Sequence, residues 1–376
     1  PLPFSTFDAA NVRDKYFLNF LNSRQNGSSP GLNLIPYKVY KKCPKISSFL
    51  LKIFKSCVKL SFIPIQWRVS SEVYIPKKPL SSSNSIEDFR PIALLNVEGK
   101  LFFSLIARRM EDHIIRKNKF VDSKIQKGCM SKVPGCWEHM SLVWEELKGA
   151  KANKTTIAAV WLDIANAYGS VPHKLIFFAL ERYGVHPSWI NLIKSYYSGL
   201  WSRSLSPSCP SSWHQHFQGI FTGCTVSIIL FLASMNIIIE YICIAVPSTL
   251  LNSSPPVRAF MDDLYLKSPT LEGAQVLLDR ASTALTWANM TAKPSKSKCI
   301  VVVNGKVNHE NILKISHLDK EVFIPSILDN PVKFLGRLID HSLSDKNQTE
   351  VFSSAVSKGL SLIDRSFHRG VHKVWI

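Results

Sequence analysis

The chain has 376 residues, of which 46% are apolar, which is enough for two or three packed cores and excludes a disordered chain. Its 46 lysines and arginines outnumber its 27 aspartates and glutamates, so the formal net charge is +19 and the pI is about 9.6. This surplus favours a polyanionic partner such as nucleic acid, although a soluble protein can also be basic without one.

The cysteines and the start of the sequence bear on where the protein is found. The eight cysteines include no Cys-x-x-Cys pair and no zinc-type spacing, so we expect reduced thiols in an intracellular protein. No secretory signal is visible at the start of the sequence. The chain begins at Pro1 without an initiator methionine, which indicates a fragment.

The first 155 residues are predicted to form helices and strands separated by polar loops. An amphipathic helix is expected around residues 50–54, and a serine-rich flexible loop at 81–85 joins two strand-like segments. Longer helices are predicted over residues 99–115 and 133–151. Such a mixture of helices and strands indicates the α+β class.

A short apolar run over residues 156–163 ends in a single acid, Asp163. The run has the length and the apolar content of a strand that is buried on both faces. Pro172 then signals the start of a helix, and Gly184 signals its end. A lone acid at a strand end usually caps a helix or a loop, so a further role for Asp163 depends on acids elsewhere.

The middle of the chain contains a predicted loop and a long apolar segment. Residues 202–212 are rich in serine and proline, which is typical of a loop. Residues 228–246 are apolar and nearly long enough to span a membrane. Asn236 and Glu240 lie in the middle of this segment, where a charge would be costly in lipid. We therefore predict a buried core helix and no membrane contact.

Two adjacent acids, Asp262 and Asp263, are flanked by apolar, strand-like residues. Two residues is the length of a tight hairpin connection, so we expect both acids at the turn of a β-hairpin. Two like charges side by side raise each other's pKa unless a cation lies between them, which makes the pair a candidate magnesium site. A solvated hairpin turn without a metal is the alternative.

Asp163 and the acidic pair together supply three carboxylates. Three carboxylates can hold two magnesium ions, and this arrangement is used for in-line phosphoryl transfer. Catalytic and metal-binding roles for Asp163, Asp262 and Asp263 are therefore a hypothesis, and an ordinary cap at Asp163 with a solvated acidic turn is the alternative.

With these acids in place, the chain resembles a known family, the reverse transcriptases of retrotransposons that lack long terminal repeats (LINE-like elements). The block around Asp163 is similar to the first catalytic motif of the family, and residues 259–263 are similar to its catalytic hairpin. Each match is short, but the order and spacing of the matches argue against coincidence. The matching motifs lie at residues 29–31, 35–42, 75–78, 89–96, 126–130, 162–173, 223–231, 259–263, 296–298 and 333–336.

The resemblance implies a right-hand polymerase with fingers, a palm and a truncated thumb. Residues 1–60 would be an N-terminal extension, 61–155 the fingers with part of the palm, 156–345 the palm, and 346–376 the start of the thumb. The implied reaction is RNA-templated DNA synthesis with two Mg²⁺ ions, which Mn²⁺ could replace. The implied partners are an RNA template, a DNA primer and deoxynucleoside triphosphates. The protein would act in the nucleus and cytoplasm as a ribonucleoprotein.

The resemblance also assigns nucleotide-binding roles to single residues. Lys77 and Arg90 match cations of the fingers that clamp the triphosphate, and Lys296 matches a lysine near the leaving phosphate. Gly223 lies in the motif that contacts template and nucleotide. Tyr168 matches an aromatic ring that would clash with a ribose 2′-hydroxyl and so select deoxynucleotides. The alternatives are surface charge for the three cations and a core aromatic for Tyr168.

Two positions depart from the family's pattern. Gly169 stands where the family often has a second acid, and Thr222 stands where it has glutamine. Neither position belongs to the three acids, but the missing glutamine could weaken the seating of a template base or a nucleotide. Two alternatives therefore stay open. One is a catalytically idle nucleic-acid-binding relic of a reverse transcriptase, and the other is an RNA polymerase with a similar palm, against which Tyr168 argues.

Overall fold

The structure is a computed structural model in which packing distinguishes two compact units. It describes residues 14–77, 85–128, 130, 133–205, 210–244, 254–308, 313–317 and 320–365. The first unit comprises Pro1–Cys129, Ile164–Ile242 and Thr283–Thr291, and the second comprises Met130–Asp163, Cys243–Ser282 and Ala292–Ile376.

Helices and strands are mixed along the described chain, which confirms the predicted α+β class. The helices are α1 (Asp14–Asn22), α2 (Tyr37–Lys42), α3 (Pro44–Leu60), α4 (Val97–Glu111), α5 (Gly135–Ala152), α6 (Ala167–Ser170), α7 (His173–Arg182), α8 (Pro187–Tyr197), α9 (Thr225–Cys243), α10 (Leu271–Trp287) and α11 (Lys346–Arg365). The strands are β1 (Val69–Pro76), β2 (Phe89–Leu94), β3 (Ile157–Leu162), β4 (Trp201–Ser204), β5 (His214–Gln215), β6 (Val257–Phe260), β7 (Asp263–Ser268), β8 (Lys298–Val303), β9 (Lys306–Val307), β10 (Lys314–His317), β11 (Lys320–Phe323), β12 (Val332–Phe334) and β13 (Arg337–Ile339).

The sheet of the first unit has the strand order β2-β1-β4-β5. β1 and β2 form an antiparallel hairpin in which Ile75 lies opposite Arg90. β4 pairs with β1 in parallel and with β5 in antiparallel orientation. The predicted loop over 202–212 is therefore wrong at its start, because Ser202 is buried and paired within β4.

Aromatic rings fill the core of the first unit. Phe54 on α3 packs edge-on against Trp67 and Phe102, with ring centroids 5.5 and 5.1 Å apart. Phe103, the next residue along α4, contacts Tyr196 of α8 with a centroid distance of 4.3 Å. These large rings bury much apolar area and join α3, α4 and α8 in one core.

The longer predicted helices of the first 155 residues are confirmed, with shifted ends. The prediction over 99–115 corresponds to α4 and the π-helical turn Asp112–Lys117 that follows it. The prediction over 133–151 corresponds to α5, and the amphipathic segment 50–54 lies within α3. The apolar content and length of these segments were sufficient signals, although α4 is buried on all sides over residues 101–106 rather than along one stripe.

The helix predicted over 228–246 is α9, which begins earlier, at Thr225. Among the described helices, α9 alone is long and apolar enough to cross a membrane. Most of its residues are nevertheless buried in the protein. The amide of Asn236 donates hydrogen bonds to the carboxylate of Glu240 at 2.7 Å and to the carbonyl of Phe120 at 3.1 Å. Polar groups satisfied in this way support a core helix.

The second unit is built on a five-stranded antiparallel sheet with the order β6-β7-β3-β8-β9. β3 is the central strand, and every residue of it is buried, which confirms the predicted strand. On one face, Trp161 and Tyr265 share a core with Val143, Trp144 and Leu147 of α5. Burial on both faces explains why the sequence of β3 is continuously apolar.

A buried ionic cluster links α5 to the β6–β7 hairpin. The carboxylate of Glu146 accepts hydrogen bonds from Arg258 at 2.7 Å, Lys267 at 2.5 Å and Ser254 at 3.2 Å. The side chains of Arg258 and Lys267 are only 5% and 7% exposed, so two cations share one carboxylate away from water. Burial lowers the pKa of Lys267, while Glu146 acts to raise it.

The C-terminal part of the second unit contains the hairpins β10–β11 and β12–β13, followed by α11. α11 corresponds to the predicted start of a thumb, and residues 366–376 lie outside the described residues. Residues 81–84 of the predicted serine-rich loop also lie outside them. The predicted boundaries after residues 60, 155 and 345 separate polymerase subdomains, which a division by packing does not test. They stay predictions.

Candidate active site

The acidic hairpin is formed by β6 and β7. Phe260, the last residue of β6, pairs with Asp263, the first residue of β7, so the two-residue turn consists of Met261 and Asp262. The prediction that both acids form the turn is therefore wrong by one residue. The physical reason is that the buried side chain of Met261, 3% exposed, takes the first turn position and leaves Asp263 in the strand.

Met261 has an unusual backbone conformation. Its φ is +61°, in the left-handed region where residues other than glycine are uncommon. A positive φ at the first turn position is a feature of type II′ hairpins, in which glycine usually takes that place. Strain of this kind costs on the order of 1–3 kcal/mol and is concentrated at functional sites. The packing of Met261 thus stabilises a strained turn, and Asp262 is the second residue of that turn.

Asp163 lies at the same end of the sheet as the acidic hairpin. The antiparallel ladder between β3 and β7 runs as far as the pair Leu162 and Leu264. Asp163 follows Leu162 and Asp263 precedes Leu264, so the next step of the ladder sets the two acids opposite each other. The structure therefore brings together acids that are far apart in the sequence.

The charges of Asp163 and Asp262 act on the carboxyl group of Asp263. Burial, followed by the negative charges of Asp262 and Asp163, raises the pKa of Asp263 to about 6. Asp263 is nevertheless exposed to solvent, so repulsion by the neighbouring carboxylates is the cause that the geometry supports best. A group of carboxylates that repel one another in this way is stabilised by a bound cation.

The donor chemistry of the three acids suits magnesium. Mg²⁺ prefers oxygen ligands and is usually held by one or two carboxylates together with substrate phosphates. Among the described residues, no group of three or more His, Cys, Asp or Glu side chains is arranged so that it could hold a metal ion by itself. A magnesium site at Asp163, Asp262 and Asp263 would therefore need further oxygen ligands, such as substrate phosphates.

Lys296 belongs to the same unit as the three acids. It lies on the turn before β8, where its N–H donates to the carbonyl of Lys293 at 3.0 Å. Its side chain is exposed. An exposed ammonium group on a fixed turn is available to a phosphate.

Lys77 and Arg90, the two candidate cations of the fingers, lie in the first unit. Arg90 lies opposite Ile75, and Lys77 lies two residues beyond Ile75, so the side chains of Lys77 and Arg90 share one face of the β1–β2 hairpin. Both are exposed, and the ammonium group of Lys77 donates to the carbonyl of Glu87 at 2.8 Å. The hairpin therefore presents two cations on one face.

Thr222 and Gly223 run alongside β2 in the same unit. The N–H of Ala93 donates to the carbonyl of Thr222 at 2.8 Å, and the hydroxyl of Thr222 donates to the carbonyl of Pro91. Gly223 has a φ of +111°, and a β-carbon there would lie 2.7 Å from the carbonyl oxygen of Ala93. The close approach requires glycine, and Thr222, which departs from the family's pattern, anchors the segment.

Replacing Gly223 by alanine is expected to destabilise the protein by about 1–3 kcal/mol, because the new side chain is strained by φ and meets backbone. The measurement is the shift in urea-induced unfolding followed by circular dichroism. Gly149→Ala is the matched control, since among the described residues nothing outside its own helix lies within 4 Å of that β-carbon position. Alanine there should stabilise α5 by up to about 1 kcal/mol. Equal losses in the two variants would contradict the close approach at Gly223.

Tyr168 lies on the short helix α6 in the first unit. Its ring stacks on Phe231 of α9, with centroids 4.4 Å apart and planes inclined by 15°. The N–H of Ile220 donates to the carbonyl of Tyr168 at 2.8 Å. Ring and backbone are thus held in one orientation, and the residue remains half-buried. Sequence reasoning did not connect Phe231 with Tyr168, because no local pattern signals a contact between segments so far apart.

Comparison with known families gives a match over residues 75–339 to the family described as reverse transcriptase (RNA-dependent DNA polymerase). The chain belongs to the reverse transcriptase family. The prediction of a reverse transcriptase domain of a retrotransposon without long terminal repeats is thereby confirmed, and the right-hand polymerase fold follows from the family. Every predicted site residue of this domain lies within the matched range.

Relatives of this reverse transcriptase domain are polyproteins of mobile elements. It is 25% identical over 275 residues to the retrovirus-related Pol polyprotein from type-2 retrotransposable element R2DM of Drosophila melanogaster, covering 73% of this chain and 25% of that protein. It is 24% identical over 278 residues to the Pol polyprotein from type-1 retrotransposable element R2 of Nasonia vitripennis, covering 68% and 26%. The chain thus spans about a quarter of the length of these relatives.

Among solved structures, the reverse transcriptase domain is similar to apo telomerase from Candida tropicalis truncated from its C-terminal domain. The TM-score is 0.44 and the sequence identity is 11%, over 75% of this chain and 59% of that chain.

Proposed function

We propose that this reverse transcriptase domain makes DNA on an RNA template by adding deoxynucleotides to the 3′-hydroxyl of a primer. The observation that carries the proposal is the meeting of Asp163 with Asp262 and Asp263 at one end of the central sheet of the second unit. Carboxylates on neighbouring strands can hold two magnesium ions, and manganese accepts the same oxygen ligands.

The three acids would hold the ions on rigid backbone. When bound, the ions lower the pKa of the primer hydroxyl and stabilise the charge on the triphosphate and the leaving pyrophosphate. Asp163 stands at the end of a fully buried strand, and Asp262 stands at a turn that is fixed by the buried Met261. Asp263, which directly precedes the paired Leu264 of β7, would supply the third carboxylate.

Cationic side chains of the domain would bind the phosphates of the incoming nucleotide. Lys77 and Arg90 present two positive groups on one face of the β1–β2 hairpin, which suits a triphosphate with several anionic oxygens. Lys296 on its exposed turn would neutralise charge on the leaving phosphate. Gly223 lets its segment lie directly against Ala93 of β2, and the backbone of this segment would contact the nucleotide.

Tyr168 would select deoxynucleotides by excluding the ribose 2′-hydroxyl. The ring is held by Phe231, which is fully buried, so it cannot turn aside without disturbing the core around α9. A rigid ring rejects an added hydroxyl by a steric clash, whereas a mobile ring would accommodate it.

Replacing Tyr168 by alanine is expected to raise incorporation of ribonucleotides relative to deoxynucleotides about 10- to 100-fold. The measurement is the ratio of kcat/KM for the two nucleotides at one template position. Phe177→Leu, a change to an aromatic residue of the same unit that stacks edge-on with Tyr197, is the control and should leave the ratio unchanged. A Tyr168→Ala variant that still excluded ribonucleotides would remove the argument against an RNA polymerase.

The charge of the chain supports a nucleic-acid partner. Residues 15–71 contain lysines and arginines but no aspartate or glutamate, so the positive charge of this segment is not neutralised locally. Contacts of this kind release counterions from the phosphate backbone and make binding depend steeply on salt. We propose an RNA template and a DNA primer as the partners, in a ribonucleoprotein of the nucleus and cytoplasm.

Primer extension tests the proposed function. The purified chain is given an RNA template, an annealed DNA primer, Mg²⁺ and deoxynucleoside triphosphates, and wild type is expected to extend the primer whereas Asp262→Ala is not. Binding of the same duplex by both proteins, measured by fluorescence anisotropy, separates catalysis from binding. Equal, background-level extension by the two proteins with intact binding would favour the idle relic, an alternative that Thr222 supports because it stands where the family has glutamine.

A further inference from the structure

The backbone of Asp163 is held by a turn rather than by a strand. The ladder between β3 and β8 ends with the pair Trp161 and Lys298, two residues before Asp163. The segment that precedes β8, from Lys293 to Ser297, closes over the peptide groups of Asp163 instead. The position of this acid therefore depends on contacts that no strand pairing supplies.

Two hydrogen bonds join Asp163 to this turn, and a third within the turn closes the ring. The N–H of Lys293 donates to the carbonyl of Asp163 at 2.8 Å, and the N–H of Asp163 donates to the Oγ of Ser297 at 3.0 Å. The hydroxyl of Ser297 in turn donates to the carbonyl of Lys293 at 3.1 Å. Both peptide groups on either side of the Asp163 side chain are thus fixed.

The Ser297 hydroxyl is not needed to form the turn itself. The N–H of Ser297 donates to the carbonyls of Lys293 and Pro294, each at 3.1 Å, and the N–H of Lys296 donates to Lys293 at 3.0 Å. These backbone bonds keep the turn closed by themselves. Ser297 is fully buried, so water cannot easily replace its hydroxyl as the acceptor for Asp163. Loss of the hydroxyl should therefore release Asp163 more than it disturbs the turn.

We propose that Ser297 is a positioning residue that fixes the metal-binding carboxylate of Asp163, an inference that rests on the proposed function. Groups that orient a metal ligand without touching the metal typically change metal affinity or activity 10- to 100-fold when removed. The same turn carries the exposed Lys296. One short segment therefore fixes the backbone of Asp163 and also that of Lys296, the proposed phosphate-binding cation.

Manganese binding by the full chain tests the proposal without relying on activity. Free Mn²⁺ is titrated by electron paramagnetic resonance with wild type, Asp163→Ala, Ser297→Ala and Ser297→Thr. We expect Ser297→Ala to weaken Mn²⁺ binding about 10- to 100-fold, while Ser297→Thr, which keeps a hydroxyl, stays within about threefold of wild type. The Mg²⁺ concentration for half-maximal primer extension should rise in Ser297→Ala and stay close to the wild-type value in Ser297→Thr.

Ser326→Ala is the matched control. Ser326 is also buried, at 5% exposure, and its Oγ accepts a local hydrogen bond from the N–H of Leu328 at 3.2 Å. This variant is expected to bind Mn²⁺ as wild type does. If Ser297→Ala does not fold, Ser297→Cys replaces it, because sulfur keeps the size of the side chain and is a weak acceptor.

The outcomes separate the two ideas. Folded Ser297→Ala or Ser297→Cys that binds Mn²⁺ as tightly as wild type, while Asp163→Ala does not, overturns the positioning role alone. Wild type that binds no more Mn²⁺ than Asp163→Ala overturns the metal site and the positioning role with it. If Ser297→Ala weakens Mn²⁺ binding and Ser297→Thr retains it, the result supports both the metal site and the positioning role.

Discussion

Replacing Asp262 by asparagine is expected to slow primer extension about a thousandfold, which corresponds to about 4 kcal/mol of transition-state stabilisation. The same change at Asp263 should cost only about tenfold. Asp262 stands at the turn corner with its side chain half-buried, whereas Asp263 is exposed on the strand and has its pKa raised to about 6 by its surroundings. The exposed side chain of Asp263 is less firmly placed than that of Asp262, so we expect it to contribute less as a ligand.

Single-turnover extension at saturating nucleotide and template measures these losses without a contribution from product release. Asp329→Asn is the matched control, since Asp329 is an exposed acid of the same unit that lies away from the β6–β7 hairpin along the chain. It should extend primers at the wild-type rate. Equal losses at Asp262 and Asp263 would show that the two acids are equivalent, against the asymmetry of the turn.

Replacing Glu146 by alanine is expected to destabilise the protein by about 3–5 kcal/mol, because it leaves Arg258 and Lys267 buried without a counter-charge. The shift in urea-induced unfolding measures the loss. Glu145→Ala is the control, since the neighbouring Glu145 is exposed and should change stability by less than about 0.5 kcal/mol. A loss at Glu146 no larger than at Glu145 would mean that the cluster contributes nothing.

A triple variant tests whether the buried ionic cluster contributes to stability through its charges. Glu146→Leu, Arg258→Met and Lys267→Met together remove all three charges while keeping side chains of similar volume. Replacement of a buried ionic group by packed apolar residues is often neutral or stabilising. We therefore expect the triple variant to be more stable than Glu146→Ala, and a triple variant that was less stable would point to a packing role for Glu146.

The stability of the Glu146→Ala variant should also depend on pH in a defined direction. Burial lowers the pKa of Lys267 in the folded protein, whereas an unfolded lysine has a pKa of about 10.4. The unfolded chain therefore binds more protons between these two values, and stability rises with pH in that window. Without the carboxylate that acts to raise the Lys267 pKa, the window extends to lower pH. Denaturation midpoints measured between pH 7 and 10 should rise more steeply with pH in Glu146→Ala than in wild type.

Local sequence patterns were enough to predict the frame of the site. The apolar run that became β3 has the length of a strand and too few polar residues for a surface element, so its burial could be predicted. Asp163 at its end and the two acids of the β6–β7 hairpin were visible in the sequence. Their grouping, however, depended on the family resemblance, because composition and spacing alone do not show that β7 pairs with β3.

Contacts between distant segments could not be predicted from local patterns. The turn of the acidic hairpin was misplaced by one residue, because glycine or asparagine, rather than a buried Met261, is the usual signal for a positive φ. The bond from Asp163 to Ser297 and the stacking of Tyr168 on Phe231 join residues that no periodicity relates. Glu146, Arg258 and Lys267 are ordinary polar residues in the sequence until the fold buries them together.

The register of β3 against β7 has a consequence for how function is lost. Leu162 lies opposite Leu264, and because side chains alternate between the two faces of a sheet, a slip of one residue would turn Asp163 to the other face from Asp263. Because β3 is buried on both faces, such a slip would exchange its side chains between the two packed faces and take Trp161 out of the core it shares with α5, so packing on both faces opposes it. Damage to the core should therefore remove activity and cooperative unfolding together, and a compact but misregistered chain would be inert.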